Sequence, residues 1–360
     1  MAARIYIQSD WVQSLRKAEG EAWVSCKIPG KPTIYGSLKC NGVGRDGVPE
    51  IASSEEFVVH GITKVTSLDI SSGGGLGLSS STDGSMKIWQ TNNGEIRRIL
   101  KGHIYDVNCC RFFPSGLVVL SGGVDAQVKI WSAEDGSCPV TFKGHKAGIL
   151  DLAIVDRGRN VVTCSRDGTA RLWDCGKSAC LAVVADCGAP INGISLDVAD
   201  NTVNLGDPKA APSDREIGTE GKLLLLARED KKLEGVGLHS RQSVFTFDGS
   251  DAFNCCIFLS SLVVLAGSQD GSIVQLDIRK PKVPIQTIRK SGAPVLCLAP
   301  YKEGFIASQG DGSCFIIQQD SDHLLELTEP DCDPVYTVAV SEKLVYTGCR
   351  DGIVRKYQLD

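Results

Sequence analysis

Apolar and polar residues alternate along most of this chain in short runs, the period of a sheet strand rather than of a helix. Val107-Asn108-Cys109-Cys110-Arg111-Phe112 shows the alternation, and Leu117-Val118-Val119-Leu120-Ser121 shows the continuous apolar form expected of a buried strand. Met86-Lys87-Ile88-Trp89 and Val244-Phe245-Thr246-Phe247 are of the same kind. Between the runs lie clusters of Gly, Asp, Ser and Pro, the residues that turn a chain.

The runs come in groups of four, here called strands a to d, and an aspartate marks the turn between b and c. These aspartates are Asp83, Asp125, Asp167, Asp230, Asp270, Asp311 and Asp351, at steps of 42, 42, 63, 40, 41 and 40 residues. Five are followed by Gly, which supplies the positive φ of a tight hairpin. Three lead to a Trp six positions on, Trp89, Trp131 and Trp173. Strand a opens at Val65, Val107, Ile149, Ile191, Phe253, Val295 and Val335. A repeat of about 40–45 residues ending near Trp-Asp is the signature of a four-stranded propeller blade. The expected fold is therefore all-β, a seven-bladed propeller over residues 55–360.

Three places depart from the repeat. Blade four carries extra residues between its strands a and b, and 206–221, with Pro208, Pro212, Asp214 and Gly218, reads as a projecting or disordered loop rather than a domain. Blade seven lacks a strand d after Val354 to Tyr357, which would leave an unpaired edge. Glu56-Phe57-Val58-Val59 has the character of the missing strand, so residues 55–59 are expected to close the ring. Residues 1–54 lie outside the repeat and predict a small N-terminal α/β appendage: a short helix from Ser9 or Asp10 to Ala18, then strands over Glu21 to Ile28 and Thr33 to Cys40.

Composition narrows the function classes. A net charge of −5 with no basic run argues against nucleic acid as a partner. No apolar stretch is long enough for a bilayer, and Met1 to Asp10 turns polar too early for a signal core, so a cytoplasmic or nuclear protein without membrane contact is expected. The 15 cysteines are scattered, with no Cys-x-x-Cys and no cluster of His near them, and read as reduced, small buried side chains. No cofactor or metal site is expected.

Two constellations invite a chemical reading. His103, Ser121 and Asp125 could pass for a hydrolase triad, and Gly73-Gly74-Gly75-Leu76-Gly77 for a phosphate loop. Yet the trio returns as His145, Thr163 and Asp167 at the same spacing, and blade one keeps Ser79, Asp83 and Trp89 with His60 displaced by one residue. A triad does not recur at a repeat period. The expected arrangement is a buried network: Asp fixes His, His bonds the hydroxyl, and the hydroxyl accepts the N–H of Trp89, Trp131 or Trp173. The glycine run lacks the third Gly of a dinucleotide fingerprint and coincides with the a–b turns of later blades. No nucleophile or acid–base pair remains, so a non-enzymatic protein is expected. The residues before strand a and before the turn Asp should cluster around one mouth of the channel. Tyr105, Asp106, Arg166, Glu229, Asp251, Gln269, Asp333 and Arg350 are the candidate protein-binding rim.

Gly102-His103, Gly144-His145, the turn aspartates and Trp173-Asp174 resemble the WD40-repeat family, over about 300 residues. Later blades lose the Trp, with Leu276 in blade five and Tyr357 in blade seven. Longer stretches, among them Gly102 to Trp131, Asp156 to Asp174 and Ile306 to Phe315, are similar to WD-repeat chaperones of the proteasome. That resemblance implies a monomeric scaffold that binds an ATPase subunit of the regulatory particle, assists base assembly and restrains union with the core particle. An alternative is a substrate receptor of a cullin ubiquitin ligase, marked by Trp-Asp-x-Arg. Here Trp173-Asp174-Cys175-Gly176 lacks the Arg and Leu276-Asp277-Ile278-Arg279 lacks the Trp.

Overall fold

The structure, a computed structural model, describes residues 54–61, 63–208, 211–318, 324–327 and 333–359, and ahead of them the strands Arg4–Ile7, Glu21–Lys27, Ile34–Lys39, Gly42–Val43 and Pro49–Glu50. The first three of those strands form an antiparallel sheet, the last two a short ladder. The helix expected up to Ala18 lies outside the described residues.

Seven four-stranded antiparallel sheets follow, and no helix occurs among the described residues. Strand a is Val65–Ile70 in blade one, Val107–Phe112 in two, Ile149–Val155 in three and Ile191–Val198 in four. It is Phe253–Phe258, Val295–Tyr301 and Val335–Ser341 in blades five to seven. Each strand a lies against that of the next blade, and the last lies against the first, so the sheets form a ring with strands a lining its channel.

The core sits between blades. Trp131 packs with Leu78, Met86 and Ile88 of blade one, and Trp173 with Val128 and Phe142 of blade two. The Phe142 and Trp173 rings stand 5.3 Å apart. Trp89 packs with Tyr346 and Val354 of blade seven, which makes the first and last blades neighbours. Strand c of blade seven, Ile353–Gln358, pairs on its outer side with Ser54–Val58. Lys356 meets Glu55 at 2.9 Å and Arg355 meets Glu56 at 3.1 Å across that pairing.

All seven b–c turns hold the residue after the Asp at positive φ, including the two that are not Gly: Ala126 at 59° and Lys231 at 68°. In six turns the Asp Oδ1 accepts the N–H two residues on, at 2.8–3.1 Å. A Cβ strains this conformation, so Ala126→Gly is expected to raise stability by about 0.5–1 kcal/mol despite the greater freedom of the unfolded chain. Urea unfolding checks it; a less stable variant would show that the alanine is not strained.

Every strand a carries a bulge at its second residue. The bulge turns that side chain toward the next blade. Asn108 Nδ2 donates to the Ile149 carbonyl at 2.6 Å, Asn192 to Phe253 at 3.0 Å and Asn254 to Val295 at 3.0 Å, while Thr66 donates to Val107. Asn108-Cys109-Cys110 of blade two returns as Asn254-Cys255-Cys256 in blade five, and in both the Asn makes the inter-blade joint.

The blade-four insert lies against its neighbours instead of projecting. Arg215 reaches the buried Asp174 carboxylate at 3.0 Å, and Asn160 accepts the Ile217 N–H at 2.7 Å. Thr219 bonds His239 at 3.1 Å, and Gln242 donates to the Asp207 carbonyl at 2.5 Å. The reason is polar demand: Asp174 and Asn160 are fully buried, and the insert supplies their partners.

Candidate protein interface

In blade two the turn holds Asp125 beneath His103. His103 Nδ1 lies 2.9 Å from Asp125 Oδ2, its Nε2 lies 2.8 Å from Ser121 Oγ, and Trp131 Nε1 donates to that oxygen at 2.8 Å. Blade three repeats the chain with 2.9 Å from His145 to Asp167, 2.9 Å to Thr163 and 2.8 Å from Trp173. The directions are self-consistent for a neutral ring: Nδ1–H to Asp, hydroxyl to Nε2, indole N–H to hydroxyl. Both hydroxyls are fully buried under an indole, so no substrate can reach them.

Burial works against the Asp125 and Asp167 anions, but bonds from the histidine and nearby N–H groups outweigh it and hold both below the usual carboxylate range. Burial keeps His145 below its ordinary value.

Blade one differs from the expected network. His60 bonds Ser79 at 2.8 Å and Trp89 donates to Ser79 at 3.2 Å, but Asp83 does not reach the ring. Asp83 instead accepts the Ser85 N–H and hydroxyl at 2.8 and 2.6 Å, and His60 Nδ1 is buried without a partner among the described residues. The extra residue between His60 and the turn swings the ring away from the carboxylate. Burial, with Lys87 second, lowers His60 to about 4.

The contrast gives a test. Asp167→Asn is expected to lower stability by about 2 kcal/mol, because a buried imidazole loses its anionic acceptor. Asp83→Asn, at the equivalent place, should lose half of that or less. Equal losses in urea unfolding would make the histidine contact irrelevant. In blades five and six a serine takes the place of the histidine: Ser250 donates to Asp270 at 2.7 Å and Ser291 to Asp311 at 2.8 Å.

The rim has a backbone cause. The residue before each turn Asp donates its N–H to the residue before strand a, in six blades. The pairs are Val124 to Asp106, Arg166 to Gly148, Glu229 to Pro190, Gln269 to Ala252, Gly310 to Pro294 and Arg350 to Pro334, at 2.8–3.2 Å. The candidate residues therefore share one mouth of the ring.

Most of them are engaged. Arg350 pairs with Asp333 at 2.7 Å, Glu229 accepts from Asn192 at 2.6 Å, Gln269 from Asn254 at 3.0 Å, and Asp251 lies 3.8 Å from Lys231. Asp106 gives its carbonyl to Val124. Tyr105 is 60% exposed, and among the described residues neither its hydroxyl nor the exposed Arg166 guanidinium has a side-chain partner. Beside Tyr105 stand Ile104, 71% exposed, and Val124, 47% exposed. Neither is among the candidates that the sequence pattern marks, although Val124 occupies the same pre-turn position as Arg166. The rim thus offers a free apolar and aromatic corner on blades two and three, and a prepaired polar arc elsewhere.

The channel below is a cavity of about 490 Å³ whose wall carries Asp69, Arg111 and Asp151, with Arg111 3.9 Å from Asp151. Burial pushes both carboxyls up against the pull of Arg111. Among the described residues no group of His, Cys, Asp and Glu could hold a metal ion. The described cysteines are free thiols, and burial pushes Cys110, Cys175 and Cys349 up to about 12, which keeps them unreactive.

Comparison with known proteins identifies the repeat. The family described as WD domain, G-beta repeat matches residues 53–90, 94–132 and 136–174, the three blades that keep the Trp. Over its whole length the chain is 68% identical to a Gallus gallus protein and 65% identical to a Homo sapiens protein, each covered to 99% and each named Proteasomal ATPase-associated factor 1. A Dictyostelium discoideum protein, named Probable proteasomal ATPase-associated factor 1, is 36% identical over 98% of this chain and 95% of its own length.

Proposed function

Because this chain belongs to the proteasomal ATPase-associated factor 1 family of WD40 proteins, we propose that it is a non-enzymatic scaffold that binds an ATPase subunit of the proteasome regulatory particle. In this reading it acts as an assembly chaperone: it holds the subunit while the base forms and restrains union with the core particle. It works as a monomer in the cytosol, with the nucleus as a second location.

The observation that carries the reading is the likeness to relatives of that name along the whole chain. The rim agrees with it, since the unpaired groups gather on blades two and three. A pull-down of purified ATPase C-terminal domains by the full chain tests it. Tyr105→Ala with Arg166→Glu is expected to weaken capture at least tenfold while the melting temperature holds. Capture of no ATPase domain would end the proposal; equal capture by the double variant would move the interface off this corner.

The cullin-receptor alternative loses ground. Asp174 is buried and held by Arg215 and Arg159, and so is not presented to an adaptor.

A further inference from the structure

Blade five carries charge of one sign along its outer edge. Strands c and d, Ser272–Asp277 and Gln286–Arg289, are joined by residues 278–285. From 278 to 290 the chain has five cations and no Asp or Glu, in a protein of net charge −5. Arg279 is tied to Asp277 at 2.6 Å and Lys290 lies over the Phe315 ring at 4.9 Å. Lys280, Lys282 and Arg289 are exposed; Lys280 shares the field of Asp277 with Arg279, while Lys282 and Arg289 have no acidic partner among the described residues. Between the lysines and strand d stand Val283, 72% exposed, and Ile285, 53% exposed.

The edge itself is open. Gln286–Arg289 pairs with Ser272–Gln275 in unbroken register and is the last strand of its sheet. The c–d pairing is bulged in blades one, three and four, and strand d of blade two is only three residues long, whereas blades six and seven keep an unbroken register like that of blade five; the run of cations is what sets blade five apart.

We propose that this edge is a second docking site, which takes an acidic extended segment of a partner protein as a fifth strand. The segment pairs with Gln286–Arg289 through its backbone. Its carboxylates, on every second residue, meet Lys280, Lys282 and Arg289, and an apolar side chain covers Val283 and Ile285. A protein segment fits better than a membrane, because residues 278–290 contain no aromatic anchor. Strand c starts at the Asp270 turn on the rim and ends at this connection, and strand d returns to place Arg289 opposite Ser272, so this edge belongs to blade five and the Tyr105 corner to blades two and three. Both can be occupied at once.

Fluorescence anisotropy with the full chain and a short labelled peptide of alternating glutamate and valine tests the proposal. Lys280→Glu with Lys282→Glu is expected to raise its Kd about tenfold, and Lys101→Glu with Lys143→Glu, on other exposed edges, to leave it unchanged. A peptide with alternate N-methylated amides should not bind, since strand pairing needs those N–H groups. The melting temperature stays put, because the altered side chains are exposed. The proposal falls if the glutamate peptide does not bind, if the two double variants weaken it equally, or if the N-methylated peptide binds as well. Capture of phosphatidylserine vesicles without capture of the peptide would also overturn it.

Discussion

Deleting residues 1–62 is expected to lower the melting temperature by about 10 °C and to make the protein aggregate. The deletion removes Ser54–Val58, the strand on the outer side of Ile353–Gln358. Without it strand c of blade seven becomes an exposed edge. Arg355, which is buried, also loses Glu56 and keeps Asp351 at 2.7 Å. Phe57 contributes a ring 5.8 Å from Trp89, so blade one loses packing as well. A peptide spanning 54–61, added in excess, should recover part of the loss by occupying the vacated edge. Thermal unfolding with and without the peptide checks both statements. An unchanged melting temperature would mean that the ring does not depend on this strand.

The His60 contribution to stability is expected to fall by about 3 kcal/mol as pH drops from 6.5 to about 4, with Asp69 and Asp151, which burial raises, acting in the opposite sense. In the folded protein burial holds His60 near 4, against 6.5 when solvated. Between those values the unfolded chain takes up a proton that the native state refuses, so acid favours unfolding. Above 6.5 neither state carries the proton and the effect vanishes. His145 is shifted in the same direction and adds to the fall. The turn aspartates act in a different window. Their folded values are depressed, so their contribution is full above the ordinary carboxylate range and is lost only below it. Urea midpoints across this range should be much flatter for His60→Gln than for the wild type. Parallel curves would show that His60 exchanges protons freely in the native state.

The fold was legible because the Asp-turns are local. Each is fixed by residues within a few positions of one another, and the turn conformation is the same whether Gly84 or Ala126 follows the Asp. Strand a could be read for a similar reason: Val107 and Ile149 each begin an alternation that a channel wall and a blade core impose from opposite sides. What could not be read depends on partners far apart in sequence. Nothing near Asp174 signals that Arg215 will cover it, and nothing near Asn108 signals the carbonyl of Ile149. The blade-one network failed for a finer reason. One additional residue after His60 keeps the bond to Ser79 but rotates the other nitrogen away from Asp83, a change no residue count can price. Position in the repeat brings the candidate rim residues to one mouth, while pairing, which decides whether Arg166 or Arg350 is available, is a matter of side-chain reach.

The joint made by the bulged second residue of strand a has an evolutionary corollary. Donor and acceptor both sit at fixed places in the repeat, as Asn108 to Ile149 and Asn254 to Val295 show. A duplicated unit would therefore arrive with its connectors already in place and could be spliced between existing neighbours. Only the closure is bespoke, because it joins the first and last repeats through a strand borrowed from before the first repeat. Growth or loss of sectors in such a wheel is limited by that one seam, not by the joints along its circumference.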